Sequence, residues 1–235
     1  MKIQKIYEDQ DIFVINKPAG LLTHPASGKV EDSISGIFEK QIESGVGQEG
    51  RAGIVHRLDK DTSGLLILAK TQRGYDYLIK LFKGRKIRKR YMALVYGRPK
   101  HPEGVIDSPI GRNLKTRNKM DVVGEDFGKN AITRYKVVDE FTVKDIGVLC
   151  LIEAEIESGR THQIRVHMKA IGHPVVGDTL YGPKKLNFNF GKRFGLKRQF
   201  LHAAELEFES VDKKKLNLKA ELAEDLKGIL TKLSF

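Results

Sequence analysis

Between Gly53 and Lys70 the chain reads GIVHRLDKDTSGLLILAK, two apolar runs around a turn that carries His56, Arg57, Asp59, Lys60, Asp61, Thr62 and Ser63. Loops held between rigid strands are where reactive groups tend to concentrate. An aspartate placed among cations, as Asp59 is beside His56, Arg57 and Lys60, can act as a nucleophile or a base. On spacing alone, a turn aspartate bonded to its own backbone is the plainer account. A second segment, Ser158 to His167 (SGRTHQIRVH), continues to His173-Pro174 and Gly177-Asp178. Its Arg165 has the planar fork that pairs with carboxylate or phosphate, though a solvated helix charge explains it as well. His162 and His167 are five residues apart, so they leave a helix on different faces and make a poor metal pair. With a single cysteine, Cys150, and no HExxH pattern, no metal site is expected. In a third segment, Lys89-Arg90-Tyr91, a tyrosine enters an apolar strand, where core packing with a satisfied hydroxyl is the ordinary role.

These groups sit in a strongly basic chain. Forty-two Lys and Arg against thirty Asp and Glu leave a net charge of +12 on 235 residues, which makes nucleic acid the first partner to consider. The charge is clustered. Lys83 to Arg90 (KGRKIRKR) holds six cations in eight residues, and Pro183 to Phe200 holds six with no acid at all. The second stretch interleaves Phe188, Phe190, Phe194 and Phe200 with its cations. That mixture suits bases stacked on rings and phosphates held by Lys or Arg, and equally a basic loop anchored to a core by its phenylalanines. With 40% hydrophobic and 31% charged residues the chain is globular rather than disordered or fibrous. No apolar run approaches the ~20 residues of a membrane span. The amino terminus has no signal-peptide core, and one cysteine allows no intrachain disulfide, so a cytoplasmic location is expected.

The elements that must position these groups follow from pattern. Ile12 to Asn16 reads as a buried strand ended by Lys17-Pro18. Asp32 or Ser33 can cap a helix with Ile34, Ile37, Phe38 and Ile42 on one face. Gly53–Leu58 and Gly64–Ala69 read as two strands. Thr71 caps a helix that stops at Gly84. Arg90–Tyr96 suits a central strand, and residues 99–130 read as a long excursion with little regular structure. Ala131–Val138 and Val148–Ile156 are strands, the latter with clear alternation. Thr161 can cap a helix through Ala170. Strands at Leu201–Phe208 and Leu216–Leu218 and a helix through Leu222–Leu233 complete an α+β chain, read as one domain over residues 1–235.

Taken together the segments are specific. HRLDKDTSGL at His56–Leu65 resembles the signature loop of the RluA-type pseudouridine synthases. NKPAG at Asn16–Gly20 is similar to that family's first motif, KRYMALVYG at Lys89–Gly97 to its tyrosine-bearing strand, and Ser158–His167 with GHPVVGDTLYG through Gly182 to its third motif. IGR at Ile110–Arg112, AITRY at Ala131–Tyr135 and FLHA at Phe200–Ala203 extend the likeness to about residue 204. The resemblance implies a pseudouridine synthase catalytic fold, a mixed and largely antiparallel sheet flanked by helices with a central RNA-binding cleft. It implies cofactor-free, metal-free isomerisation of uridine to pseudouridine in RNA. Ribosomal RNA, transfer RNA or both are open as the substrate; the cost of unstacking a paired uridine favours a stem-loop target, and a monomer is the default expectation. Asp59 matches the family's essential aspartate, which attacks C1′ or helps remove the C2′ proton. Tyr91 matches the tyrosine that stacks on the base and takes the C5 proton, and Arg165 the residue that orients the aspartate. Arg57 and Lys17 are implied to contact substrate, at the vacated base position and at the cleft wall or a phosphate. Because the first motif begins at Asn16, the small RNA-binding domain that precedes it in many relatives is not expected. Two other readings compete: an RNA-binding protein without catalysis, which the joint presence of Asp59, Tyr91 and Arg165 argues against, and a base-excising enzyme, which would release free uracil.

Overall fold

Short β-branched and aromatic runs separated by Gly, Pro and Asp turns make strand the larger part of the regular structure, and the helices form where apolar residues recur every three to four positions. The computed structural model describes residues 3–25, 33–48, 51–113, 115–116 and 119–234. In chain order the elements are β1 (Gln4–Glu8), β2 (Ile12–Lys17), α1 (Ile34–Phe38), β3 (Gly47–Gln48), β4 (Arg51–Ala52), β5 (Ser63–Ala69), α2 (Gln72–Lys83), β6 (Arg88–Tyr96), β7 (Glu103–Asp107), β8 (Ile110–Arg112), β9 (Met120–Val122), β10 (Ile132–Val143), β11 (Gly147–Ile156), α3 (Gln163–Ala170), α4 (Lys184–Phe194), β12 (Leu201–Glu209), β13 (Lys215–Lys219) and α5 (Glu224–Leu233). This is the expected α+β architecture of sheet and flanking helices. The chain divides into two compact units, residues 1–89 with 203–221, and residues 90–202 with 222–235.

In the first unit the strand order is β1-β2-β5-β12, with β13 paired to β12. β2 and β5 are antiparallel from Ile12↔Ala69 to Lys17↔Gly64. All seven residues of β5 are buried, as the continuous apolar run LLILA requires of a central strand. The Thr71 hydroxyl accepts the Gly74 amide at 3.0 Å and caps α2, which buries Leu78 and Leu81 and ends at Gly84. Full burial of a side chain like Leu78 stabilises the fold by about 1.5–3 kcal/mol.

The second unit is an antiparallel ladder, β6-β11-β10-β7. Leu94, Tyr96, Leu149 and Leu151 form a core with Phe190, Phe194 and Phe200 and with Leu226 and Ile229 of α5. The alternation of β11 is thus apolar on both faces over Leu149–Ile152.

The structure departs from the sequence reading in several places. The expected helix at 34–42 is one turn of α-helix followed by a 3-10 turn; Ser33 caps it, and Asp32 lies outside the described residues. Gly53–Leu58 is not a strand. Its one ladder contact is the bridge Ile54↔Leu68, because side chains occupy the bonds a strand would make. The excursion at 99–130 contains β7, β8 and β9. Thr161 does not cap α3; His162 occupies that position in a left-handed conformation, φ 58°.

Candidate active site

The loop that carries Asp59 is held from behind by the first motif. Lys17 ends β2 with its side chain fully buried, and its ammonium donates to the carbonyls of Pro18, Leu21 and Lys60, each at 2.9 Å. The Gly20 amide donates to the same Lys60 carbonyl at 2.9 Å. Buried Thr23 donates its hydroxyl to the Leu58 carbonyl at 2.9 Å and accepts the Leu58 amide at 3.1 Å. Both neighbours of Asp59 are therefore pinned, and the Thr62 amide closes the turn onto the Asp59 carbonyl at 3.1 Å. Asp59 is half-buried, while Arg57 and Lys60 are exposed.

His56 anchors the other end. Its Nε2 accepts the Ile67 amide of β5 at 2.9 Å, and its ring stacks on Phe82 with centroids 4.8 Å apart. Burial, with the nearby Lys89 ammonium adding to it, pushes the imidazole down to about 3. A neutral ring whose Nε2 is the acceptor carries its proton on Nδ1. Gly64 follows the turn at φ +112°, and a Cβ there would lie 2.2 Å from the Ala203 carbonyl oxygen. Glycine is required on both counts, which couples the TSG and LHA segments. Beside the loop an open cleft of about 200 Å³ is lined by His24, Arg51, His56, Arg57 and Tyr75 among others.

Tyr91 and Arg165 belong to the second unit. Tyr91 is buried in β6, opposite Ala154 of β11. Its neighbour Arg90 pairs with Glu155 at 3.2 Å. Arg165, on α3, is buried, and its Nε and Nη2 form a bidentate pair with Asp178 at 2.7 and 2.9 Å. Asp178 Oδ1 also accepts the amides of Leu180 and Tyr181. The Tyr181 ring lies 5.2 Å from the Arg165 guanidinium carbon, and its hydroxyl bonds His162 Nδ1 at 2.8 Å. Gln163 ties the start of α3 to Ser158, Arg160, Ile132 and Thr133. His167 is enclosed between the Thr133 hydroxyl and the Ser108 carbonyl, and burial holds its imidazole below the usual range.

Lys17, Arg57 and Asp59 thus come together in the first unit, and Tyr91 and Arg165 lie in the second. Thr23 and Tyr181 are not singled out by the sequence, and Asp178 is named there without a role. Each lies inside or next to a recognisable motif, but its role depends on a partner that only the fold supplies. Of the run at 83–90, Arg88 pairs with Glu207, Arg90 with Glu155, and Lys89 is buried over the Phe82 ring. Lys83 and Lys86 are exposed. Among the described residues no group of three or more His, Cys, Asp and Glu is placed to hold a metal ion, and no helix is long and apolar enough to cross a membrane.

Residues 11–170 match the sequence profile of a family described as RNA pseudouridylate synthase. An uncharacterised RNA pseudouridine synthase of Bacillus subtilis, YlyB, is 42% identical over 212 residues, 89% of this chain and 65% of that protein. The ribosomal large subunit pseudouridine synthase D of Zymomonas mobilis is 39% identical over 229 residues, 95% of this chain and 70% of that protein. The chain therefore spans roughly two thirds of the length of these relatives. Among solved structures, human RNA pseudouridylate synthase domain containing 4 superposes with a TM-score of 0.76 at 27% identity, covering 98% of this chain and 92% of that one. Human RNA pseudouridylate synthase domain containing 1 superposes at 0.74 with 23% identity, over 99% and 95% of the two chains.

Proposed function

The chain belongs to the RluA-type RNA pseudouridylate synthases, isomerases that act on uridine in RNA, and on that premise we propose that it converts a uridine of large-subunit ribosomal RNA to pseudouridine. The observation that supports this most is the double clamp on Asp59, with Leu58 fixed by the Thr23 side chain and Lys60 by that of Lys17. A group that must meet a reacting carbon repeatedly in one geometry needs such support.

In the proposed reaction the N1–C1′ bond of the uridine breaks, the uracil turns, and C5 bonds to C1′. C5 loses its proton and N1, released from the sugar, gains one, so atoms and electrons balance without an oxidant, a reductant or an added group. Asp59 attacks C1′ or takes the C2′ proton on the way to a glycal. Tyr91 stacks on the base and accepts the C5 proton, and Arg165 orients the aspartate. The bidentate hold of Asp178 on Arg165 supports that last role, since an arginine fixed along one edge presents its remaining donors in one direction. Arg57, exposed beside Asp59, is assigned to the space the base leaves. Lys17, with its ammonium committed to loop carbonyls, is assigned to positioning the loop rather than to a phosphate.

Ribosomal rather than transfer RNA is proposed because several relatives at about 40% identity are named as large-subunit synthases. The protein is read as a cytoplasmic monomer in which residues 1–235 act as one catalytic domain, with no cofactor. Mapping pseudouridine across total RNA from cells with and without this protein tests the reading. Loss of one or a few pseudouridines from large-subunit RNA is expected. An unchanged map contradicts it, and a loss confined to transfer RNA moves the substrate.

A further inference from the structure

The basic stretch at 184–198 is sorted by the fold into two kinds of residue. Phe190, Phe194 and Phe200 are buried in the core of the second unit, while Phe188 is 70% exposed. Arg198 is buried and makes a bidentate pair with Asp225 at 2.7 and 2.8 Å. Arg193 donates to the Lys144 carbonyl and lies over the Phe194 ring. Lys184, Lys185, Lys192 and Lys197 are exposed, and the segment contains no acid. Lys184, Phe188 and Lys192 recur at four-residue spacing, which puts a cation, a ring and a cation along one face of α4 at steps of about 6 Å. Phe188 and Lys184 also line an open pocket of about 270 Å³ with Thr179, Leu196 and Lys197.

Solvent exposure of a phenylalanine flanked by unburied lysines has no packing rationale. It does have a recognition rationale, because unpaired bases stack on aromatic faces while lysines follow the backbone phosphates. We propose that this pocket binds an unpaired nucleotide of the RNA other than the target uridine, its base on Phe188 and its flanking phosphates at Lys184, Lys192 and Lys197. The inference rests on the reading of RNA as substrate and adds a second point of attachment to it. The site is rigid. Asn187, next to Phe188, accepts the Gly177 amide at 2.8 Å and the Tyr96 hydroxyl at 3.0 Å and donates to the Asp178 carbonyl at 2.7 Å. Asp178 is the residue that holds Arg165, so α4 is tied through one residue to the support of a group assigned to the reaction.

The test is the affinity of the full chain for a fluorescently labelled single-stranded oligoadenylate, which has no uridine to react. Phe188→Ala is expected to weaken binding about 5- to 150-fold, the range for loss of one stacked base, and Phe188→Tyr to restore it. Lys184→Gln with Lys197→Gln is expected to flatten the plot of log K against log salt by about 1.4, at roughly 0.7 per single-strand phosphate. All three substituted side chains lie at the surface, so the fold should be retained. If the wild-type protein makes pseudouridine in large-subunit RNA but Phe188→Ala binds oligoadenylate equally well, the nucleotide site is wrong, the isomerase reading stands and the pocket is left to a protein partner. A wild-type protein that neither binds oligoadenylate nor makes pseudouridine overturns both.

Discussion

The residues on both sides of Asp59 are fixed by side chains of an earlier segment, Lys60 by Lys17 and Leu58 by Thr23. Asp59→Asn keeps the shape and these bonds but removes the charge. Turnover is expected to fall by at least about 10²- to 10⁴-fold with RNA affinity retained, and turnover within a few-fold of wild type would remove Asp59 from the reaction. Arg165 and Asp178 make the complementary case of a buried ion pair. Asp178→Ala removes the carboxylate that holds a buried guanidinium and should cost about 3–5 kcal/mol, read as a lower urea midpoint. In Arg165→Met with Asp178→Leu neither charge remains, so stability should recover in part while activity does not; single losses that simply add would show that the two residues are not coupled. His56 reports on the loop by pH. Its imidazole is depressed to about 3 in the fold against an ordinary 6.5, so the unfolded chain binds the extra proton. The stability this gives is complete above pH 6.5 and drains away between pH 6.5 and 3, at up to about 1.4 kcal/mol per pH unit. His56→Gln can still accept the Ile67 amide and cannot protonate. Its urea midpoint should therefore fall less than that of wild type between pH 7 and 4, and parallel curves would mean that His56 is not held neutral.

At the scale of elements, the buried strands β2, β5, β6, β11 and β12 and the capped helix α2 were legible in the sequence because local pattern and tertiary burial agree there. The buried strand at Ile12–Asn16, the Thr71 cap and the Gly84 stop all follow from residue types at fixed spacing. Where they disagree the sequence misleads. Gly53–Leu58 has strand-like residues, yet after Ile54 the Ile67 amide goes to the His56 ring and the Leu58 amide to the Thr23 hydroxyl, pairs 11 and 35 residues apart along the chain. Helix α4 has no side-chain cap and carries Gly191 in its interior, so its local signal is weak; burial of Phe190 and Phe194 stabilises it. The motifs named the residues of the candidate site but not their supports, since a buried lysine with three carbonyls and a surface lysine look alike in sequence. Thr23→Val tests the clamp. It removes a hydroxyl from two backbone partners at nearly constant volume and should cost about 1–3 kcal/mol, lowering turnover more than RNA affinity. Unaltered stability and turnover would mean that the loop holds its shape without Thr23.

For the whole molecule, a net charge of +12 predicts binding that weakens steeply with salt, but the fold decides which cations contribute. Arg88, Arg90 and Arg198 are engaged by Glu207, Glu155 and Asp225, whereas Lys83 and Lys86 are exposed. Lys83→Gln with Lys86→Gln should reduce the salt slope for a ribosomal RNA fragment by about 2, at roughly 1 per phosphate contact, while Arg198→Ala should lower stability and leave the slope intact. The reverse pattern would show that internal pairing does not select the RNA contacts. The central claim, that the chain moves uracil from an N1 to a C5 linkage, is tested most directly with large-subunit RNA tritiated at C5 of uridine. Bonding C5 to C1′ expels that hydrogen, so the wild-type protein should release tritium to water in step with pseudouridine formed, with no free uracil, and Asp59→Asn should release almost none. Free uracil without pseudouridine, or tritium release undiminished in Asp59→Asn, would contradict the account.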